Sequence, residues 1–302
     1  MKLINQSFEI LEQRNFTLEG IKRFIERCGR VCYKSEDKIT DTSYEKFVDM
    51  LEKRDHARPL EFGTVHLKMP WSNFNNFVGF CISKAVWDSC WIKYYIDRDS
   101  ENKMVYITTN YRYYKKLKSL KSLYGYINIE DFFTEEDNEY YPKRYTVHFI
   151  TSRGIMDEFR THVGLSHLAE STRYCNYSKG KFNNQVIFVI PHWCDLQEGE
   201  YNAKTYYNNT YYNPYCKKDT FMRACFNAEE DYLELIDKGA IAQEARDILP
   251  LGIKSELISC GFEDAWSNFF YRRCDNAAHP MARELACSLK EEFIKRGYLN
   301  KI

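Results

Sequence analysis

The stretch Glu158–Lys181, EFRTHVGLSHLAESTRYCNYSKGK, concentrates polar chemistry: Glu158, Arg160, His162, Ser166, His167, Glu170, Ser171, Arg173 and Lys179 all fall within it. Arginine offers a planar fork of donors that matches a phosphate or the edge of a pyrimidine. Serine adds a short-range donor and acceptor. If Ser171 to Arg173 is extended, Ser171 and Arg173 point to the same side, because side chains alternate along a strand. Such a set suits a site for an anionic, hydrogen-bonding ligand; a solvated, charge-rich loop is the alternative. Further along, Arg246, Arg272 and Arg273 add anion donors. The standard phosphate cradles are absent, since the chain has neither G-x-G-x-x-G nor a Walker loop. No nucleophile elbow surrounds Ser171, so no motif supports a Ser/His/Asp hydrolase.

The elements that must position these residues are legible in the periodicity. Lys2 to Leu11 reads as strand-like. Leu18–Val31 is an amphipathic helix with Ile21, Phe24, Ile25 and Cys28 on one face. Thr42-Ser43 starts a second helix, and Glu45 three residues after Thr42 completes a possible capping box. Thr64–Lys68 and Val105–Thr109 are β-rich, Tyr111–Leu123 is a basic, aromatic, helix-like run, and Tyr145–Thr151 alternates as a half-buried strand. A helix from Ile155 delivers the polar stretch. Val186–Ile190 is a strand, residues 195–216 a Tyr/Asn-rich loop, and Thr220–Lys238 a helix stopped by Gly239. A short helix covers Ala242–Ile248. The helix Glu263–Arg273 buries Trp266, Phe269 and Phe270 on one side, stacks Asn268 with Arg272 at i,i+4, and sets Phe269 on the side of Arg273. Pro280 begins a last helix to about Lys295.

The chain has 302 residues, 43 basic and 43 acidic. That balance argues against a general nucleic-acid binder. The cations Arg112, Lys115, Lys116, Lys118 and Lys121 read as a solvated helix face offset by the acidic Glu130–Glu139. The 11 cysteines are odd in number and scattered, with no Cys-x-x-Cys pair, which points to reduced core thiols rather than a metal site. The N-terminus lacks an apolar signal region, and no apolar run is long enough to span a bilayer. The expectation is a cytoplasmic protein with no membrane or nucleic-acid partner and no metal. No linker or repeat divides the chain, so it reads as one domain, 1–302, with an insertion at about 69–141.

The order Glu170-Ser-Thr-Arg-Tyr-Cys-Asn-Tyr-Ser-Lys179 resembles the signature of the flavin-dependent thymidylate synthases. Arg153-Gly154-Ile155 leads into it. A second block agrees: Ala245-Arg246-Asp247-Ile248-Leu249-Pro250-Leu251-Gly252, then Trp266, Asn268, Phe269, Arg273 and His279-Pro280. The resemblance runs from about His56 to about Ala286. It implies an α/β (α+β) fold, a central mixed β-sheet surrounded by helices, assembled as a homotetramer. It further implies reductive methylation of dUMP to dTMP, with methylenetetrahydrofolate as carbon donor, FAD as cofactor and NADPH as reductant. By position, Arg273 matches the cation that stabilises ionised uracil, and Ser171 sits beside the nucleotide at the catalytic centre. Glu158, Arg160, Glu170, Ser171, Arg173, Arg246 and Arg273 fall at dUMP-side positions. His56, Arg58, Thr161, His162, Val163 and Asn268 fall at FAD-side positions. Insertions like 69–141 occur in a subgroup of the family.

The chain departs from that pattern. The family has Arg-His-Arg where this chain has Thr161-His162-Val163, and Glu-His where it has Glu61-Phe62. Two lost cations beside a diphosphate could each cost about 1–3 kcal/mol, the scale of a charge-assisted hydrogen bond. Arg160 or Arg58 could replace the charge. The alternative is a non-catalytic relative that binds nucleotide or flavin.

Overall fold

The computed structural model describes residues 1–83, 88–99, 103–124, 128–210 and 212–299. The side chains of Lys121 and Lys181 lie outside the described residues. In chain order the elements are β1 (Lys2–Ile4), β2 (Ser7–Leu11), α1 (Leu18–Tyr33), α2 (Ser43–Lys53), β3 (Thr64–Pro70) and α3 (Trp71–Ser83). Then come β4 (Ile92–Ile96), β5 (Met104–Asn110), α4 (Tyr111–Tyr124), β6 (Phe133–Thr134), β7 (Arg144–Ser152), α5 (Arg153–Phe159) and β8 (Ser166–Ala169). The remainder are β9 (Ile187–Val189), β10 (Gly199–Glu200), α6 (Ala203–Asn209), α7 (Lys217–Asp237), α8 (Ala242–Ala245), β11 (Lys254–Phe262), α9 (Glu263–Arg273) and α10 (Pro280–Lys295).

The class is mixed α/β, and the strands divide into three sheets rather than one: β2-β7-β11-β8, β4-β5-β3-β6 and β10-β1-β9. The first two are antiparallel throughout, and the parallel pairing among the described residues is β1 with β9. The division has a packing cause. The apolar face of β3, β4 and β5 closes its own core with α3 and α4, through Val65, Leu67, Phe74, Phe77, Ile107 and Tyr113. The first sheet packs instead on α5, α9 and α10, through Phe149, Phe159, Leu257, Trp266, Phe269 and Leu289.

Local chemistry explains most element ends. The Thr17 hydroxyl accepts from Gly20 N at 3.0 Å and starts α1. At its far end Lys34 turns into the left-handed region, φ 50°. The Thr42/Glu45 capping box does not form. Thr42 makes no side-chain cap bond, while Ser43 Oγ accepts from Thr40 N at 2.8 Å and donates to the buried Glu26 carboxylate at 2.9 Å. Residues 195–216 are not a plain loop: they contain β10 and α6, the latter started by Asn202 Oδ1 accepting from Thr205 N at 3.2 Å. The basic run does form α4. Its cations pair within the chain: Lys115 with Glu52 at 3.1 Å, Lys118 with Glu130, and Arg112 with Glu61 at 2.5 Å.

Candidate functional site

Helix α9 is anchored by Trp266, Phe269 and Phe270, all buried, and Trp266 Nε1 donates to Tyr145 O at 3.0 Å. That anchoring fixes where the last turn, with Arg272 and Arg273, emerges. The facing wall is the chain leaving α5, residues Glu158–Leu165. It lies close to β11 because Gly261 has no side chain: a Cβ there would come within 2.6 Å of Leu165 Cδ2 and 3.0 Å of Gly164 O. Gly164 itself has φ +92°, a conformation that glycine adopts readily. Between the two walls is a cavity of 640 Å³ lined by Thr161, His162, Val163, Asn268, Tyr271, Arg272, Arg273 and Asp275.

Arg273 is held from three sides. Its Nε donates to His162 Nε2 at 2.7 Å. Its Nη1 donates to the Glu158 carboxylate at 2.9 Å, and its Nη2 to Glu158 O at 2.7 Å and Thr161 Oγ1 at 3.2 Å. His162 must offer a lone pair at Nε2, so its proton sits on Nδ1. Burial, reinforced by the Arg273 charge, lowers its pKa to about 4, so it is neutral at ordinary pH. His167 is likewise pushed to about 4, mainly by burial. Its Nε2–H donates to His162 O at 3.1 Å, and its Nδ1 faces Ser259 Oγ at 2.9 Å.

A second group forms around the signature loop. Glu170 is 1% exposed and pairs with Lys254 at 2.9 Å. Lys254 and Lys34 both pair with Glu256, whose other oxygen meets His148 Nε2 at 2.9 Å. Burial alone would raise the Glu256 pKa; the His148 hydrogen bond and the two lysines outweigh it and hold the carboxyl well below the usual range. For Lys254, burial would lower the pKa, yet Glu170 and Glu256 raise it. Glu170 therefore spends its carboxylate inside the fold, bracing the loop. Of its neighbours, Arg173 and Tyr174 are exposed, Ser171 is half-buried and Thr172 is buried. Arg246 Nη1 donates to Thr172 Oγ1 at 3.3 Å, Arg173 is exposed over the Tyr174 ring at 5.8 Å, and Ser171 N bonds Cys32 O at 3.3 Å.

Of the residues singled out from the sequence, Glu158, Thr161, His162, Val163, Asn268 and Arg273 converge on the cavity. Ser171, Arg173 and Arg246 gather at the loop, and among the described residues no hydrogen bond joins the two groups. Arg160 turns to Asp157 at 3.1 Å, and Arg58 lies 3.9 Å from Glu61; neither lines the cavity, so neither supplies the missing charge there. His56 pairs with the Tyr33 hydroxyl at 3.0 Å, also away from the cavity.

Arg272 lines the cavity and makes no ion pair among the described residues; its Nε donates to Asn268 Oδ1 at 3.3 Å. Tyr271, 82% exposed, adds an aromatic face at the rim. Sequence reasoning named Arg272 as an anion donor and gave it no place; its i,i+4 relation to Asn268 was the available signal. Glu61 was missed as a strut. It is buried, and it receives Arg112 at 2.5 Å and the Ser166 hydroxyl at 2.6 Å. Phe62, where the family has His, is fully buried with Leu168 and Ile258 and is a core residue. The cavity's donor set fits a planar, anionic cofactor such as a flavin: Arg272 for charge, Tyr271 for stacking, Asn268 and Thr161 for polar contacts.

All eleven cysteines are free thiols. Among the described residues no cluster of His, Cys, Asp or Glu could hold a metal ion, and no helix is long and apolar enough to cross a membrane.

A family model described as thymidylate synthase complementing protein matches residues 143–296. A flavin-dependent thymidylate synthase from Synechocystis sp. is 36% identical over 64 residues, 21% of this chain and 30% of that protein. The chain thus spans less than a third of the length of the curated relative it matches. Two structures of a UMP/dUMP methylase from Streptomyces cacaoi, bound with 5-Br UMP and 5-Br dUMP, align with a TM-score of 0.42 each. They are 14% and 15% identical, over 98% of this chain and 92% and 93% of theirs.

Proposed function

The chain belongs to the thymidylate synthase complementing protein family, and from that premise we propose that it converts dUMP to dTMP. In this reading methylenetetrahydrofolate gives the carbon and NADPH is the reductant. The observation that carries it is convergence: Thr161–Val163 and the α9 residues Asn268, Tyr271, Arg272 and Arg273, far apart in sequence, wall one 640 Å³ cavity.

The chain's own contribution is electrostatic. Uracil C5 is a weak nucleophile until electron density is pushed into the ring. A preorganised cation beside N3 and O4 stabilises the ionised pyrimidine. Arg273 suits that task because His162, Glu158 and Thr161 fix its orientation before any ligand arrives. In this reading Ser171 and Arg173 of the outer loop take the nucleotide with Arg246, which bonds Thr172 from the turn after α8. Arg272, Tyr271, Asn268 and Thr161 would hold FAD, which when bound supplies the reducing equivalents. The nucleotide loop and the Arg273 cavity are separate groups within one chain. That separation supports a homotetramer in which copies complete each other's sites. The free thiols support a reducing, cytoplasmic setting.

One observation favours a second reading, a non-catalytic nucleotide- or flavin-binding relative: acceptors within the chain already engage every nitrogen of Arg273. A tritium-release assay with dUMP tritiated at C5, methylenetetrahydrofolate, FAD and NADPH separates the two. Tritium release with dTMP formation is expected. A yellow, flavin-loaded protein that releases none is the non-catalytic relative.

A further inference from the structure

We propose that His167 is a positioning residue for Arg273, acting with Ser259 through the main chain and ring of His162. The proposal rests on the catalytic reading of Arg273 given above.

The geometry forms a continuous chain of hydrogen bonds across three elements. Ser259 in β11 and His167 in β8 are direct cross-strand partners. The Ser259 hydroxyl lies 2.9 Å from His167 Nδ1. With Nδ1 accepting from Ser259, the His167 proton sits on Nε2, which donates to His162 O at 3.1 Å. His162 in turn accepts from Arg273 Nε at 2.7 Å. Its ring also packs edge-on against Phe269, centroids 4.9 Å apart, one turn before Arg273 on α9.

His162 is buried, its ring is set by Phe269 and Arg273, and its main-chain carbonyl is held by His167. It follows the end of α5, where the last backbone bonds are the i,i−3 pair Thr161 N to Glu158 O and His162 N to Phe159 O, both 3.3 Å. Its neighbours Thr161 and Val163 are exposed, and Gly164 follows directly. The His167 donor fixes the direction of this peptide's carbonyl. A shift of the His162 ring moves the acceptor of Arg273 Nε, and with it the plane of the guanidinium. Glu158 and Thr161 hold the two Nη atoms and His162 accepts from Nε, so a shift of His162 releases one of the three points that together set the guanidinium's orientation.

The simpler view is that Arg273 caps α5, accepting its place from Glu158 O, and that His167 merely fills the sheet edge. The two views differ in what a change at Ser259 or His167 does to Arg273, which neither residue touches. The test uses the full chain with three variants: Ser259→Ala, His167→Leu and His167→Gln. The glutamine can still donate toward His162 O. Two readouts are taken: nitrogen-15 NMR of the Arg273 Nε–H, and kcat and KM for dUMP. Ser259→Ala and His167→Leu should shift the Nε–H signal and speed its exchange with water. They should lower kcat on the order of 10- to 100-fold, the scale of small misplacements, with KM within about twofold; His167→Gln should restore most of both. If His167→Leu does not fold, Ser259→Ala decides. An unchanged Arg273 Nε–H in folded Ser259→Ala overturns the proposal. So does a loss of melting temperature with kcat unmoved. If the wild-type protein makes no dTMP, the functional reading fails, yet the NMR arm still decides whether His167 positions Arg273.

Discussion

Arg273 and Glu158, 115 residues apart in the chain, meet in an ion pair of 2.9 Å, and the same guanidinium takes the Glu158 main-chain carbonyl at 2.7 Å. Asp275 is the acidic residue nearest in sequence, two positions away, yet Arg273 pairs with the end of α5. The cation therefore has a structural bond and a proposed catalytic one, and the two make different demands.

Arg273→Ala should lower turnover by at least about two orders of magnitude, as loss of a preorganised oxyanion-type donor does. Flavin reduction by NADPH should persist. Arg273→Lys should restore little, because a point charge on a flexible stem cannot satisfy His162 and Glu158 together. Melting temperature and dTMP formation measured on one preparation separate the roles; near-normal turnover with reduced stability would leave only the capping role.

Arg272→Ala should weaken flavin binding by about 1–3 kcal/mol, the usual scale for a charged hydrogen bond. Thr161→Arg with Val163→Arg should leave affinity flat or lower it, because Thr161 Oγ1 already accepts from Arg273 at 3.2 Å and an arginine there would crowd it. Flavin fluorescence titration reads both. Tighter binding in the double variant would show that the cavity lacks charge.

Acid should destabilise the protein through its buried histidines. His66, His162 and His167 each have a pKa near 4 in the fold, lowered from 6.5 chiefly by burial. Between those values the unfolded chain binds protons that the folded chain does not. Stability is then full above about pH 6.5 and falls as pH drops toward 4. Each group contributes on the order of 1–3 kcal/mol across that window. His66 is sandwiched between Phe16 and Tyr141 at centroid distances of 4.3 and 4.1 Å. His66→Phe should therefore keep the stack and flatten the fall in melting temperature between pH 6.5 and 4; an unchanged slope would remove His66 from the account.

Lys254→Met should cost about 3–5 kcal/mol, the range for breaking one side of a buried ion pair, because it strands Glu170 and Glu256 without that partner. Urea unfolding measures it. A cost below about 1 kcal/mol would mean that Lys34 alone neutralises Glu256 and that Glu170 takes up a proton.

A tetramer is expected by light scattering at micromolar concentration, with flavin bound. A flavin-loaded monomer would show that one chain closes its own site.

Much of this molecule was legible in the sequence because local rules set it. The apolar faces of α1, α7, α9 and α10 follow from the helical period. The long strand β7 follows from its alternating run, whereas β11 was not read as a strand. The two chemical blocks could be read because their residue types and order are specific. The class, mixed α/β, came with the family resemblance that those blocks carry. The partition into three sheets did not, since strand pairing depends on which faces bury each other, and that is a property of distant residues. Nor could the sequence tell that Glu170 would be consumed by Lys254, or that Arg160 would turn to Asp157 while Arg272 entered the cavity. A helical residue's direction is set by the packing of the whole helix, here by Trp266 and Phe269 in the core. The sequence by itself determined which cations and histidines this protein has to work with. Only the tertiary structure decided which of them face the cavity and which neutralise buried carboxylates, because a charge removed from water must find its partner wherever the fold brings one within reach.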